Sequence, residues 1–290
     1  MSTEGLGSEV PAGATSTRPA PPNRWADPRY LKDVQYATPG NLGARQAIYA
    51  YQRPVIRFYD WALDLAELEG GEKILDIGCG NGGYLGTLHR HGHEGLTVGM
   101  DFSAGMLSTA RLMADPDHVQ SVVQGDAAAL PFAGGTADVV LVMHMLYHVP
   151  DPTMALAEVR RILRPGGRVL IVLNGSGHQH ELRDLLREAL VCAGESPVDI
   201  SASEAFDLDA GEELAARFFS VARHDIRSDL VVPEPEPVLG YVRSMGFLQS
   251  RQAKQRQMLR FIEDRVSDVI AAEGAFRMST ASGCLVCRCR

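Results

Sequence analysis

Short apolar runs alternate with amphipathic stretches through the middle of the chain. Five runs rich in apolar and β-branched residues stand there: Ile74–Ile77, 96–100, 121–124, Ala137–Met143 and 169–173. Apolar side chains at helical spacing fill 154–163, between the last two runs. Runs this short predict buried strands, and strands that alternate with helices predict an α/β fold with a mostly parallel sheet.

A glycine-rich segment, Gly78-Cys79-Gly80-Asn81-Gly82-Gly83, follows the first run, and Asp76 stands two residues before it. Clustered glycines after a buried strand let the backbone turn tightly against a nucleoside ligand. The segment also satisfies the G-x-G-x-x-G pattern of dinucleotide-binding proteins. A nicotinamide enzyme is therefore the competing interpretation.

Carboxylates end the next two predicted strands. Asp101 follows 96–100, where an acidic side chain can accept hydrogen bonds from both ribose hydroxyls. Asp126 follows 121–124 and is placed to accept from an adenine amino group, while Ala127 leaves room for the ring. Either aspartate alone would also suit a helix N-cap. Their agreement with the glycine segment favours a nucleoside site, and a nicotinamide enzyme needs neither Asp76 nor Asp126.

The order of these segments resembles the class I S-adenosylmethionine-dependent methyltransferases of small molecules. The D-x-G-x-G turn, the acidic strand end, the acidic residue before a small one and the L-R-P-G-G turn at 163–167 carry the resemblance, which is strong over 73–174. It implies S-adenosylmethionine as cofactor and S-adenosylhomocysteine as product. The cofactor-binding residues it implies are Asp76, Gly78, Cys79, Gly80, Asp101, Phe102, Asp126, Ala127 and Met143.

Beyond that core we expect three parts. Residues 1–27, rich in Pro, Gly, Ser and Thr, should be a disordered tail. Residues 28–72 should form a helical lid, with Asn41 as an N-cap and helices over 44–51 and 55–68. Residues 73–290 should hold a doubly wound, Rossmann-like sheet of seven strands with an antiparallel last strand, and a cap-like insert at about 195–220.

Composition narrows the partners. The net charge of -8 offers no broad attraction to phosphate, so we expect no nucleic acid partner. No run approaches 18 apolar residues and no secretory signal opens the chain, which predicts a cytoplasmic protein without a membrane partner. We expect a monomer or a homodimer. Cys284, Cys287 and Cys289 suit a closing strand better than a metal cluster, and we expect no metal.

Methyl transfer from a sulfonium mainly requires alignment of the nucleophile, with a base where the acceptor must lose a proton. Candidates lie where the fourth and fifth predicted strands end. His144 is the first candidate for a general base and His148 the second, with ordering of the loop as its alternative role. Candidate substrate-pocket residues are Tyr36, Tyr49, Tyr147, Asn174 and His178.

Two ambiguities concern polar side chains near these positions. Arg45 either grips the cofactor carboxylate or is a surface arginine. His178 and His180 have a spacing that a metal would accept, although exposure at a helix start explains it more simply.

Two function classes follow. The leading one is an enzyme that methylates an oxygen, nitrogen or carbon of a small molecule, for which specialised metabolism is one setting. The alternative is a cofactor-binding module without methyl transfer, either a regulator or a catalyst of a different reaction, because the fold alone does not separate the two.

Overall fold

The computed structural model describes residues 24–36, 39–113, 120–196, 200–249 and 252–289. The strands are β1 (Gln52–Arg53), β2 (Ile74–Ile77), β3 (Thr97–Asp101), β4 (Gln120–Gln124), β5 (Ala137–Met143), β6 (Leu163–Asn174), β7 (Phe219–Val232) and β8 (Phe276–Cys289). The helices are α1 (Pro28–Tyr30), α2 (Pro39–Ala47), α3 (Phe58–Asp64), α4 (Gly83–Arg90), α5 (Ala104–Met113), α6 (Pro152–Ile162), α7 (His180–Cys192), α8 (Leu208–Ala215), α9 (Pro235–Arg243), α10 (Gly246–Gln249) and α11 (Gln252–Glu273). Single turns of tighter or wider helix cover Arg24–Ala26, Leu31–Gln35, Ile48–Tyr51, Leu146–His148 and Ala202–Glu204.

All eight strands form one sheet in the order β1-β7-β8-β6-β5-β2-β3-β4. Strands β2 to β6 pair in parallel, while β8 lies antiparallel between β6 and β7. The predicted doubly wound fold with an antiparallel last strand is confirmed. The count of seven strands omitted β1, which pairs antiparallel with the edge of β7 over two residues.

The central strands are covered on both faces, which explains their continuous apolar runs. Ile74 of β2 faces α3 and α4, whereas Leu75 faces the opposite cluster with α6 and α8. On β8, Cys284 packs on the first face and Cys287 on the second, and both are fully buried. These two thiols pack in the core, as the strand pattern predicted.

The N-terminal segment departs from the sequence expectations. Trp25 is only 4% exposed, so packed structure is already present before the boundary expected at Asp27, and the prediction for residues 1–23 lies outside the described part. Asn41 is not an N-cap: it lies inside α2, and its amide donates to the carbonyls of Val34 and Gln35. The helix predicted over 55–68 is shorter in the structure: α3 covers Phe58–Asp64, preceded by Pro54 and the exposed Val55 in non-helical backbone and followed by Glu67 at a left-handed φ of 51°.

The segment predicted as an insert packs on the sheet. In α8, Leu208, Leu214 and Ala215 are buried in the cluster that covers β6 and β8. Residues 195–220 supply none of the described side chains that line the cavity discussed below. The role of this segment as a cap remains a prediction. Across the described helices, none combines the length and the apolarity that crossing a membrane requires.

Candidate functional site

A cavity of about 730 Å³ opens between the carboxyl ends of the parallel strands and the N-terminal helices. Its volume lies in the range of roughly 300–1,000 Å³ that holds small molecules and cofactors. Every candidate cofactor, substrate and catalytic residue from the sequence lines it except Asp76, which is fully buried at the end of β2. The structure therefore joins the predicted cofactor residues and the predicted substrate-pocket residues in one space.

The glycine turn requires glycine for two reasons. Gly78, Gly80 and Gly82 have positive φ angles of 75°, 55° and 85°, which side chains rarely adopt. A Cβ at Gly78 would also lie 2.7 Å from the Cβ of Met145. With glycine at these positions, the backbone of the turn itself lines the cavity.

Asp101 holds the turn from the neighbouring strand. Its Oδ2 accepts the N–H of Gly80 at 2.9 Å, and its Oδ1 accepts the N–H of Ser103 at 2.8 Å. Burial raises the pKa of Asp101, although these backbone donors oppose the rise. Each carboxylate oxygen keeps a further lone pair, which is what recognition of a ribose diol needs.

Asp76 is fully buried, and neither of its carboxylate oxygens has a hydrogen-bond partner among the described residues. Burial, reinforced by the nearby charge of Asp101, raises its pKa to about 7. An uncompensated carboxylate is costly in a protein interior unless a cation comes near it. This orphaned acid beneath the glycine turn fits a cofactor that carries an ammonium group.

The predicted adenine end is more open. Asp126 is exposed, and its Oδ1 accepts the N–H of Ala128 at 2.9 Å. Phe102, 43% exposed, and the buried side chains of Ala127 and Met143 complete the wall. A carboxylate beside small and apolar surfaces suits a purine ring with an exocyclic amine.

His144 lies where β5 ends, in a left-handed backbone conformation with φ 55°. That conformation is uncommon outside glycine and is retained chiefly at functional sites. The imidazole stacks on Phe58 with ring centroids 5.4 Å apart. Burial lowers its pKa to about 4, so the ring is neutral at neutral pH and can accept a proton.

His148 is engaged at both nitrogens. Its Nδ1 lies 2.8 Å from the carbonyl oxygen of Trp25, and its Nε2 lies 2.9 Å from the hydroxyl of Tyr36. Because a carbonyl only accepts, Nδ1 carries the proton and Nε2 accepts from Tyr36. Burial lowers the pKa of His148 to about 4, which keeps this neutral form. The arrangement orients Tyr36 and ties the loop after β5 to the N-terminal segment.

The far wall is formed by His178, Tyr49 and Asn174. The hydroxyl of Tyr49 lies 3.3 Å from Nε2 of His178, whose pKa burial lowers to about 3. Asn174 accepts from the hydroxyl of Ser282 at 2.9 Å. This wall is polar and carries no charge at neutral pH.

Several contributors could not be found from local sequence. Tyr147 was expected, but Tyr241 of α9 also lines the cavity from far along the chain. Gln46 bridges the lid to the turn, because its Oε1 accepts from Asn81 at 3.1 Å and its Nε2 donates to Tyr59 at 2.8 Å. The only signal for Gln46 was its position one helical turn after Leu42 on the same face of α2.

His180 is half exposed, with Nδ1 3.3 Å from the carbonyl oxygen of Gly177, and does not line the cavity with His178. No group of three histidine, cysteine or carboxylate side chains is arranged to hold a metal ion in the parts of the chain that the structure describes.

Comparisons with known proteins agree with this geometry. Residues 75–171 match the family model for a methyltransferase domain. The chain is 40% identical over 112 residues to 2-phytyl-1,4-naphtoquinone methyltransferase of Thermosynechococcus vestitus, covering 38% of this chain and 50% of that protein. It is 40% identical over 123 residues to ubiquinone biosynthesis O-methyltransferase of Klebsiella pneumoniae, covering 39% and 48%. The chain thus spans half or less of the length of these curated relatives.

Solved structures share the fold at low identity. A proposed methyltransferase from Bacillus halodurans superposes with a TM-score of 0.57 at 19% identity, over 79% of this chain and 97% of that one. Phosphoethanolamine N-methyltransferase 2 of Haemonchus contortus, in complex with S-adenosyl-L-methionine, gives 0.56 at 18% identity, over 90% and 60%. The resemblance identified in the sequence is confirmed.

Proposed function

We propose that this chain, which belongs to the class I S-adenosylmethionine-dependent methyltransferases through its residues 75–171, transfers a methyl group to an oxygen, nitrogen or carbon of a small molecule. The observation that carries the proposal is a single cavity with two chemically different ends. One end holds the glycine turn, Asp101 and Asp126, and the other holds His144 among aromatic side chains.

S-adenosylmethionine is the cofactor of this family, and it supplies an electrophilic methyl group on a positively charged sulfur. The residues that would hold it are the glycine turn, Asp101 for the ribose, Asp126 for the adenine amine, and Asp76 as the negative charge beneath the turn. Met143 and Phe102 would contact the apolar parts. The main contribution of the chain is then alignment, which can lower a barrier by about 7–11 kcal/mol in favourable cases.

His144 is the residue that we assign to proton removal where the acceptor needs it. Its imidazole is neutral at neutral pH, lines the cavity and stands at the carboxyl end of β5. Neither ring nitrogen of His144 has a hydrogen-bond partner among the described residues, which leaves both free to meet an acceptor. His148 has both nitrogens occupied, and we assign it the positioning of Tyr36.

A cavity of about 730 Å³ suits acceptors of low molecular weight better than macromolecules. The names of the naphthoquinone and ubiquinone relatives also concern small molecules. We therefore extend this acceptor class to the present chain.

Calorimetry and a transfer assay test the proposal. The protein should bind S-adenosylmethionine and S-adenosylhomocysteine without added metal. NADH is titrated for comparison, because it is the ligand that a nicotinamide enzyme would bind. Labelled S-adenosylmethionine with a panel of small phenols, amines and activated carbon acids should then yield labelled product. Binding of NADH alone would refute the proposal, and cofactor binding without transfer to any acceptor would favour the module without transfer activity.

A further inference from the structure

One positive charge at the aromatic end of the cavity has no negatively charged partner among the described residues. Arg45 of α2 lines the cavity, and its Nη2 is buried without a hydrogen-bond partner. Its Nε donates to the carbonyl of Asn41, one turn earlier, at 3.3 Å, and the uncharged hydroxyl of Tyr36 is a side-chain hydrogen-bond partner of the guanidinium. No carboxylate in the described part of the chain forms an ion pair with it. An unpaired buried charge is unfavourable, and a ligand of opposite charge removes the penalty.

The groups around Arg45 keep it charged. Burial lowers its pKa, but the neighbouring oxygens of Tyr36, Tyr241 and Tyr147 outweigh that effect and the pKa is raised. The guanidinium carbon lies 5.2 Å from the ring centroid of Tyr36, within the range of a cation–π contact. An arginine held in this way presents its remaining N–H groups in a fixed plane, suited to a planar oxyanion.

The position of Arg45 on α2 separates it from the cofactor end. Leu42 and Gln46, four residues apart, form the row that faces the glycine turn: Leu42 lies 3.4 Å from the Cβ position of Gly80, and Gln46 contacts Asn81. Arg45 and Tyr49 form the next row, and Tyr49 reaches His178 on the far wall. Among the described residues, the acids that line the cavity are Asp60, Asp101 and Asp126, and none of them forms an ion pair with Arg45.

We propose that Arg45 binds an acidic oxygen, a carboxylate or an ionised phenol, on an aromatic acceptor that occupies the tyrosine-lined end of the cavity. The inference rests on the proposed function, because it places this group on the molecule to be methylated. It differs from the sequence expectation that Arg45 grips the cofactor carboxylate. The rings of Tyr36, Tyr147 and Tyr241 supply the walls for a flat ligand, and His144 and His178 add no competing charge.

Calorimetry on the full chain, saturated with S-adenosylhomocysteine, tests the proposal with three probes that differ in charge. The probes are 2-naphthoate, its uncharged analogue 2-naphthamide, and 2-naphthol. A charge-assisted hydrogen bond should make the charged probe bind about tenfold to a hundredfold more tightly than the amide. Preference for naphthoate identifies a carboxylate, whereas appearance of the naphtholate absorption band on binding identifies a phenolate.

Substitutions test whether Arg45 is the residue that gives the preference for the charged probe. R45M should abolish the preference, R45K should keep part of it, and R57M should leave it intact, because Arg57 is an exposed arginine that lines the same cavity. Binding of S-adenosylhomocysteine should be unchanged in all three, which also reports a correct fold. Equal binding of naphthoate and naphthamide to the unaltered protein, with no naphtholate band, would overturn the proposal while the proposed function stands.

Two other outcomes are decisive. Loss of S-adenosylhomocysteine binding in R45M and R45K, with retained cooperative melting, would assign Arg45 to the cofactor and overturn the inference alone. Failure of the unaltered protein to bind S-adenosylhomocysteine would instead refute the proposed function.

Discussion

The buried carboxylate of Asp76 should make the stability of the ligand-free protein fall as pH rises. In the folded protein its pKa is about 7, against an ordinary value of 3.8. Between these two values the folded chain binds more protons than the unfolded chain, so raising the pH favours unfolding. The destabilisation of the folded state by ionised Asp76 is absent below about pH 3.8 and complete above about pH 7.

The size of the effect follows from that interval. Each pKa unit corresponds to about 1.36 kcal/mol, so the interval from 3.8 to about 7 is worth about 4 kcal/mol. Between pH 5 and 8 about 3 kcal/mol of it should be lost. With an unfolding entropy of about 0.6 kcal/mol/K for 290 residues, this loss corresponds to about 4–5 °C in Tm.

Thermal melts followed by circular dichroism measure the pH-dependent loss of stability that Asp76 causes. The difference between the Tm of Asp76→Asn and that of the unaltered protein should grow by about 4–5 °C from pH 5 to pH 8. Asp126→Asn is the matched control, because Asp126 lines the cavity but is exposed. Saturating S-adenosylhomocysteine should shrink the difference, since an ammonium group near Asp76 favours the ionised carboxylate. A difference between the two melting curves that stays constant with pH would refute the reasoning.

Three further substitutions probe the site. Gly78→Val should abolish cofactor-induced stabilisation while cooperative melting persists, because the new Cβ would lie 2.7 Å from Met145 and the backbone φ is 75°. Near-normal cofactor binding by calorimetry would show that the turn is not part of the ligand site. Asp101→Ala should weaken S-adenosylhomocysteine binding by about 1.5–3 kcal/mol, about tenfold to a hundredfold or somewhat more in Kd, and an unchanged Kd would exclude Asp101 from the site. His144→Ala should lower turnover by roughly a hundredfold with little change in cofactor affinity. Since the pKa of His144 is about 4, kcat/KM for a protonated acceptor should fall only below about pH 5; a rate that the substitution leaves unchanged would exclude His144 as the base.

The sequence predicted those parts of the fold in which a residue's environment follows from its neighbours in the chain. Ile74–Ile77 and Ala137–Met143 were predicted to the residue, because apolar runs buried on both faces are bounded by glycine or polar residues. Strand β1 could not be predicted, since Gln52 and Arg53 have no pattern and pair only through the fold. The prediction that Asn41 is a helix N-cap was wrong because α2 begins two residues earlier, at Pro39, and proline is also common at the start of helices.

The candidate site divides in the same way. The glycine turn, Asp101 and Asp126 follow strands, so their meeting at one edge of a parallel sheet was predictable. The isolation of Asp76, the proton position on His148 and the unpaired charge of Arg45 depend on contacts with distant segments. Tyr241 lies near Arg45 in the structure but about 200 residues away in the chain, so the composition of the aromatic end could not be predicted from local sequence.

The segment that covers the cavity is fastened at both ends. The Trp25 carbonyl is held by His148, and at the other end Gln52 pairs with Leu230 while its side chain donates to Ser228 at 2.8 Å. A cover tethered twice cannot swing aside as a flap with a loose end, so we expect exchange of a ligand at the aromatic end, away from the exposed Asp126, to require one tether to open. Passage through the cover should then limit turnover, as lid opening does in many enzymes. Rapid-quench kinetics should show a first turnover faster than the steady state, and Gln52→Ala, which weakens one tether without touching the other, should diminish that burst.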